Sequence, residues 1–317
     1  MRIIALIAAY NEERFIAACL EHLRRHGLEA YLIDNESTDR TVAIAERFRG
    51  RGLAGIETMP RRGTHALQAK LERKQELAAA LDADWFMHMD PDEIRLPPRA
   101  STALARALER ADGEGYNAVN FLEHVFIPTR EAPNHDHPHF QKTMRWYYPF
   151  GAYVPDLIRA WRKQPCPVEL AWAAGHQVRF PGRRVYPDSF PMRHYQFLSV
   201  PHAIRKYMFK SYDPAEVRLG WHGWRAGFRP ERLALPPQAA LREYVSDDLL
   251  DTSSPRTRHH FFSEEWERLE VKQRSRVARI TDAPGLQLLS RYGRIRNRYL
   301  LPVYRRLQQA RRHYFPP

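Results

Sequence analysis

The sequence predicts an α/β fold in which a mostly parallel sheet is sandwiched between helices. Two observations predict it. The chain opens on a continuous apolar run at residues 3–9, as expected for a strand buried on both faces of a parallel sheet. Short apolar runs then alternate with helical patterns as far as residue 89. Such alternation favours parallel strands joined by right-handed helical crossovers.

The individual elements follow in order. After the first strand, apolar residues at helical spacing between residues 15 and 23, with a glycine at 27, predict a helix. Residues 31–33 form a second apolar run, and the polar cluster after it begins a helix. The remaining elements predicted for this half are a helix at 40–48, a strand at 53–59, a helix at 66–81 and a strand at 85–89.

Polar side chains follow the first, second and fourth predicted strands, where open α/β sheets hold their ligands. Asp90 and Asp92 follow the fourth strand, and their i, i+2 spacing places both on one face of an extended chain. Two carboxylates suit Mg²⁺ or Mn²⁺ that completes its shell with water and substrate phosphate. The same acidic stretch is also typical of a turn and helix start. Glycine-rich dinucleotide and P-loop motifs are absent from the sequence, which argues against those two kinds of site.

Three segments of the chain, residues 8–12, 33–41 and 84–93, resemble the signature segments of family-two glycosyltransferases, in the same order and at suitable spacing. The resemblance is clear over residues 1–125. It implies the GT-A fold and an inverting enzyme that transfers a sugar from a nucleoside diphosphate to an acceptor hydroxyl, normally with Mg²⁺ or Mn²⁺. Synthesis of an envelope polysaccharide or lipopolysaccharide is one setting for such a reaction.

The resemblance also implies roles for single residues. The DxD motif that reaches the metal, diphosphate and sugar is formed by Asp90 and Asp92. The residues implied to bind the nucleoside are Ala8, Tyr10, Glu12, Asp34 and Asn35. Asn35 stands where the family often has a second aspartate, and an amide can both donate and accept hydrogen bonds. The identity of the base therefore stays open.

Two further roles fall on the second half of the chain. The acceptor hydroxyl must lose a proton to a general base, for which Asp188 is preferred and Glu169 is the alternative. Each is equally explained as a surface or capping carboxylate. His194 resembles the late histidine that meets the metal in many GT-A enzymes. The competing interpretation of His194 is a buried histidine bonded to a backbone carbonyl.

The formal net charge of +13 is concentrated near the carboxyl end. Residues 256–317 hold 15 Lys and Arg against 5 Asp and Glu, so 15 − 5 = +10 lies there. Lysine and arginine residues interleaved with tyrosines favour binding to an anionic membrane surface. A solvated helical face is the alternative interpretation, and nucleic-acid binding is the third and less favoured one. The chain has two cysteines and no apolar segment of transmembrane length, so we expect a cytoplasmic protein. The basic region leads us to expect peripheral binding at the inner face of the plasma membrane. The expected acceptor is a glycan or a lipid-linked molecule.

The predicted organisation has a catalytic domain at residues 1–235 and a basic helical region at 236–317. Within the domain, residues 1–125 form the nucleotide-sugar half and 126–235 the acceptor half. Two rival functions remain. A basic nucleic-acid-binding protein leaves the acidic edge at Asp90 and Asp92 unexplained. A catalytically silent GT-A scaffold would bind a sugar nucleotide without turning it over.

Overall fold

The structure is a computed structural model, and it describes residues 1–151 and 157–263. One compact unit extends from Met1 to Phe261. The predicted domain boundary at residue 235 therefore lies inside this unit. The predictions for residues 264–317, including a basic helical region and a membrane-binding surface, lie outside the described residues.

The first half of the unit alternates strands and helices as predicted. Its elements are β1 (Ile3–Ala9), α1 (Ile16–Arg25), β2 (Glu29–Asp34), α2 (Thr41–Glu46), β3 (Leu53–Thr58), α3 (Leu67–Ala80) and β4 (Trp85–Met89). All pairings among these four strands are parallel, in the spatial order β3-β2-β1-β4. The register aligns Ala9 of β1 with Asp34 of β2, so the strands end at one edge of the sheet.

The second half extends the same sheet with antiparallel strands. Its elements are β5 (Glu93–Arg95), α4 (Leu104–Gly113), β6 (Ala118–Phe126), α5 (Phe140–Thr143), β7 (Trp146–Phe150), β8 (Leu157–Arg162), β9 (Phe190–Tyr195), α6 (Val200–Ala203), α7 (Pro214–Arg218) and β10 (Arg242–Glu243). Strand β8 lies antiparallel between β4 and β6, whereas β9 runs parallel to β6 and antiparallel to β5. The predicted α/β class with a parallel central sheet is confirmed, and the antiparallel strands are an addition that the sequence did not reveal.

The core lies on both faces of the sheet because side chains alternate along each strand. Ile3, Ala5 and Ile7 of β1 pack on one face with α1 and α4. Ile4 and Leu6 pack on the other face with α3 and residues 168–180. Each aliphatic side chain buried in this way contributes about 1.5–3 kcal/mol.

The chain beyond β9 wraps along the sheet edge in short elements. A turn of π-helix, Ile204–Met208, continues α6, and 3₁₀ turns at Gln238–Ala240 and Asp247–Leu249 flank β10. The predicted helical region is therefore not helical over residues 236–263 apart from these turns. Within the described part of the chain, no helix is both long and apolar enough to span a membrane.

Candidate active site

The carboxyl ends of β1, β2 and β4 bring together the polar residues that were predicted to meet there. The loop after β1 is fixed to the loop after β2, because the Glu12 backbone N–H donates to Thr41 Oγ1 at 2.8 Å and the Thr38 N–H donates to Asn11 Oδ1 at 2.8 Å. Asn11 has a φ of 56°, a conformation that asparagine tolerates better than most residues. The two loops thus form one rigid rim.

A cavity of about 390 Å³ lies beside this rim. Its lining consists of Asn35, Met59, Pro60, Arg61, Arg62, Thr64, Ala66, Ala69 and Asp213. Asn35 Nδ2 donates to the Met59 carbonyl at 2.9 Å, while Asn35 Oδ1 is buried and has no hydrogen-bond partner in the described structure. One N–H of Asn35 Nδ2 is used in this way, and Oδ1 remains an acceptor without a partner at the cavity wall.

The other residues predicted to bind the nucleoside lie at the same edge. The Asp34 carboxylate is buried and accepts a hydrogen bond from the Ser37 N–H at 3.1 Å. The Arg61 guanidinium stacks on the Tyr10 ring, 3.6 Å from its centroid. Ala8 belongs to β1 one residue before its end. Of the residues predicted to bind the nucleoside, Asn35 lines the cavity, whereas Ala8, Tyr10, Glu12 and Asp34 lie at the same sheet edge outside its lining.

Asp92 is buried and forms an ion pair with Lys206, which lies on the π-helical turn after α6. Lys206 Nζ lies 2.8 Å from Asp92 Oδ2 and 3.2 Å from Glu12 Oε2. Burial disfavours the charged ammonium, but Asp92 and Glu12 outweigh burial and raise the pKa of Lys206. The ammonium thus neutralises the carboxylates that the sequence assigned to the metal and nucleoside.

His194 connects Asp92 to a second carboxylate. Its Nδ1 lies 2.5 Å from Glu123 Oε1, and its Nε2 lies 3.5 Å from Asp92 Oδ2. Burial lowers the pKa of His194, but Asp92 and Glu123 outweigh burial and raise it to about 10. The ring is therefore held by side-chain carboxylates, and the alternative of a backbone carbonyl partner is wrong.

Asp90 is the accessible member of the acidic pair, with 47% of its side chain exposed. Its backbone N–H donates to Glu93 Oε2 at 3.1 Å, and Arg159 Nη1 lies 3.9 Å from its carboxylate. Glu93 is itself buried between Arg95 and Arg159, each at 2.6 Å. Burial raises the pKa of Asp90, but Lys74 and Arg159 outweigh burial and lower it. Asp90 is thus an ionised carboxylate facing solvent at the sheet edge.

The two carboxylates predicted as general base lie away from Asp92 and His194. Asp188 is exposed just before β9, whereas His194 lies near the other end of that strand. At about 3.3 Å per strand residue, they are roughly 20 Å apart. Glu169 is exposed and pairs with Arg179, between Val168 and Leu170, which pack against the α3 side of the core. Both are surface carboxylates, which is the alternative that the sequence left open.

A divalent ion at this edge would require His194 to lose its proton and Lys206 to leave Asp92, because a metal-binding imidazole is neutral. Among the described residues, no group of three or more His, Cys, Asp or Glu is placed to hold a metal. Asp92 and His194 Nε2 nevertheless approach each other, and Glu123 on Nδ1 is the carboxylate that typically orients a metal-binding histidine. A hard cation with two such ligands would complete its shell with water and phosphate oxygens.

Sequence reasoning missed several buried side chains around this edge. Glu123 lies on β6, and no motif marked it. Lys70 and Lys74 are buried on α3, at i and i+4, although lysines in a helix are usually taken as a solvated face. The available signal was their spacing, because they share the helical stripe of Leu67, Leu71, Leu77 and Ala78.

Residues 4–157 match the sequence model of glycosyl transferase family 2. No curated protein matches the chain. Similar solved structures include S. aureus TarS 1-349 in complex with UDP, at 18% identity over 41% of this chain and 36% of that one, with a TM-score of 0.29. S. aureus TarS 1-349 also aligns at 13% identity over 66% and 63%, with a TM-score of 0.37.

A third similar structure is glucosyl-3-phosphoglycerate synthase from Mycobacterium tuberculosis in complex with Mn²⁺, uridine diphosphate and phosphoglyceric acid. It is 23% identical over 38% of this chain and 43% of that one, with a TM-score of 0.28. The chain thus spans less than two-thirds of the length of each of these structures. Residues 4–157, which hold the parallel strands and their helices, are thus similar to glycosyl transferase family 2 over just under half of the chain.

Proposed function

We propose that the chain transfers a sugar from a nucleoside diphosphate to an acceptor hydroxyl, with inversion and with Mn²⁺ or Mg²⁺ as cofactor. The observation that carries the proposal is the meeting of the Asn35 cavity with Asp90, Asp92 and His194 at one sheet edge. The cavity would receive the nucleoside of such a donor, and the acidic residues would receive the cation and the sugar.

The residues at the edge would divide the work. Asn35 Oδ1 would accept a hydrogen bond from the base, and Tyr10 would border the nucleoside. Asp92 and His194 would hold the cation, and Glu123 would keep His194 Nε2 directed at it. The bound ion would stabilise the negative charge that develops on the departing diphosphate. The exposed Asp90 carboxylate is free to accept hydrogen bonds from sugar hydroxyls.

The acceptor and the location of the enzyme are also part of the proposal. A glycan or lipid-linked acceptor in envelope polysaccharide or lipopolysaccharide synthesis suits the basic composition of residues 256–317. The enzyme would then act in the cytoplasm at the inner face of the plasma membrane. We do not propose a nucleic-acid partner, because such a partner leaves the acidic pair Asp90 and Asp92 unexplained.

The test is release of nucleoside diphosphate from a panel of sugar nucleotides in the presence of Mn²⁺. The wild-type protein should hydrolyse or transfer from at least one donor, and Asp92→Asn should lower turnover at least 100-fold. The matched control is Asp188→Asn, an exposed aspartate remote from the edge, which should keep turnover within twofold. A wild-type protein that binds a donor but never turns it over would instead be the silent scaffold.

A further inference from the structure

Large apolar side chains are exposed along one short stretch of the chain, around the end of the π-helical turn and α7. Met208 and Phe209 are 49% and 77% exposed, and Val217 and Leu219 are 40% and 39% exposed. We refer to residues 205–219 as the apolar ridge. Single exposed apolar residues are common on protein surfaces, whereas a concentration of them is typical of a surface that binds a partner.

The inward-facing residues of the ridge hold its apolar side chains at the surface. The Lys206 ammonium is buried in its ion pair at the acidic edge, and the buried Tyr207 hydroxyl donates to a backbone carbonyl at 2.7 Å. At the other end of the ridge, Glu216 is buried and accepts hydrogen bonds from the first N–H groups of α3. The neighbours of these anchored residues, among them Phe209 and Val217, therefore face outward.

The ridge borders the candidate active site. The His65 N–H donates to the Ser211 carbonyl at 2.7 Å, and the Asp213 N–H donates to the His65 carbonyl at 3.3 Å. Asp213 also lines the cavity beside Asn35. Because Lys206 reaches the acidic edge from the same stretch, the ridge lies next to both the cavity and the acidic residues.

The charges of the ridge suit an anionic surface. Residues 205–219 hold four Lys and Arg against two Asp and Glu. Arg205 and Arg218 are exposed, whereas the carboxylates of Asp213 and Glu216 accept hydrogen bonds from backbone N–H groups at the starts of α7 and α3. Exposed apolar side chains flanked by cations are typical of a segment that lies in the interface of an anionic bilayer.

We infer that the apolar ridge inserts into the surface of an anionic lipid bilayer, with Met208 and Phe209 in contact with the acyl chains. The inference rests on the proposed function for the purpose of this contact, which is to bring a lipid-linked acceptor to the site. Interfacial binding combines buried apolar area with attraction to anionic lipid. The ridge supplies the apolar area and the basic composition of residues 256–317 supplies the attraction, so stable binding needs both.

The experiment measures the surface pressure of a phosphatidylglycerol and phosphatidylcholine monolayer after the full-length chain is added beneath it. The wild-type chain should raise the pressure, and the double variant Met208→Ser/Phe209→Ser should reduce this rise at least fivefold. The matched control is Val245→Ser/Leu249→Ser, which removes two apolar side chains that are 67% and 65% exposed outside the ridge and should leave the rise unchanged. Both double variants keep every charge, so a difference between them reports apolar insertion. Thermal melts of both variants establish that they are folded.

Two outcomes would overturn the inference. One is an equal rise in pressure, or no rise at all, for the wild-type chain and the ridge variant. The other is a wild-type dimer in analytical ultracentrifugation that the ridge variant converts to a monomer, with no difference between the two at the monolayer. That result would assign the ridge to self-association.

Turnover of a sugar nucleotide with a water-soluble acceptor separates this inference from the proposed function. The ridge variant should keep this turnover within twofold, because neither Met208 nor Phe209 belongs to the candidate active site. Insertion without turnover of any donor would support the ridge and contradict the proposed function. Turnover without insertion would overturn the inference and leave the proposed transfer reaction standing.

Discussion

His194 gains its orientation from a single residue, Glu123, on a neighbouring strand. Their contact is 2.5 Å between Nδ1 and Oε1, and it directs Nε2 toward Asp92. Removing the carboxylate that orients a metal-binding histidine typically lowers metal affinity about 10- to 100-fold. Glu123→Gln should therefore weaken Mn²⁺ binding by this amount, measured by the electron paramagnetic resonance signal of free Mn²⁺.

The control for this prediction is Glu131→Gln, which alters an exposed glutamate that accepts from the Gln238 N–H. It should leave Mn²⁺ affinity unchanged. Equal Mn²⁺ affinity in Glu123→Gln and the wild type would mean that Glu123 has no part in holding the cation.

Lys70 should make stability depend on pH. Its pKa is about 7 in the folded chain and about 10.4 in an unfolded one, so the unfolded state binds more protons between these values. The penalty is full below pH 7 and disappears as pH rises toward 10. Lys70→Met should raise the Tm at pH 7, and the gain should shrink toward pH 10. The groups that act on Lys70 are the neutral His65 ring and the charged Lys74, Arg61, Lys210 and Asp90.

Thermal melts at pH 7, 8, 9 and 10 check this prediction, with Lys142→Met, which removes an exposed lysine, as the control. The difference between the control and the wild type should stay constant with pH. A constant difference for Lys70→Met as well would show that Lys70 keeps an ordinary pKa.

Single residues also show where sequence reasoning succeeds and where it fails. The positions of Asp90, Asp92 and Asn35 were predictable because these residues closely follow strands, and the carboxyl ends of parallel strands lie at one edge of the sheet. The position of Asp188 relative to Asp92 was not predictable, because a carboxylate carries no local mark of which end of a strand it lies near. Glu123 and Lys206 were not recognised as partners of His194 and Asp92, because their contacts join residues 71 and 114 positions apart.

At the level of elements, helix α3 depends on a cap from far along the chain. Ala66 offers no capping side chain, and the Leu67 and Gln68 N–H groups donate instead to Glu216 at 2.8 and 2.6 Å. Glu216 lies on α7, which is thereby fixed to the helix that carries Lys70. The sequence predicted α3 but not this contact, since a cap 149 positions away leaves no local pattern.

Glu216→Ala should leave both N–H groups without partners and cost about 1–2 kcal/mol. We expect the Tm to fall by several degrees. Glu231→Ala, which changes an exposed glutamate, is the control and should leave the Tm unchanged. An unchanged Tm in Glu216→Ala would show that the cap contributes nothing to the helix.

At the level of the whole molecule, the excess charge beyond residue 255 is the basis of the predicted membrane contact. The full-length chain should bind vesicles that contain anionic phospholipid, and a chain ending at residue 263 should lose this binding. Each lysine or arginine near the membrane surface is expected to contribute about 1 kcal/mol to binding. Co-sedimentation at low and high salt measures it. Neutral vesicles are the control, and preferential binding of RNA or DNA over anionic vesicles would contradict the prediction.

The measurement that tests the central claim most directly is a manganese anomalous diffraction map from crystals soaked with Mn²⁺ and a nucleoside diphosphate. The account predicts a manganese peak coordinated by Asp92 and His194 Nε2, with the nucleoside next to Asn35. The account would be contradicted by a map in which the nucleotide is bound elsewhere, Lys206 still forms its ion pair with Asp92, and this edge holds no manganese.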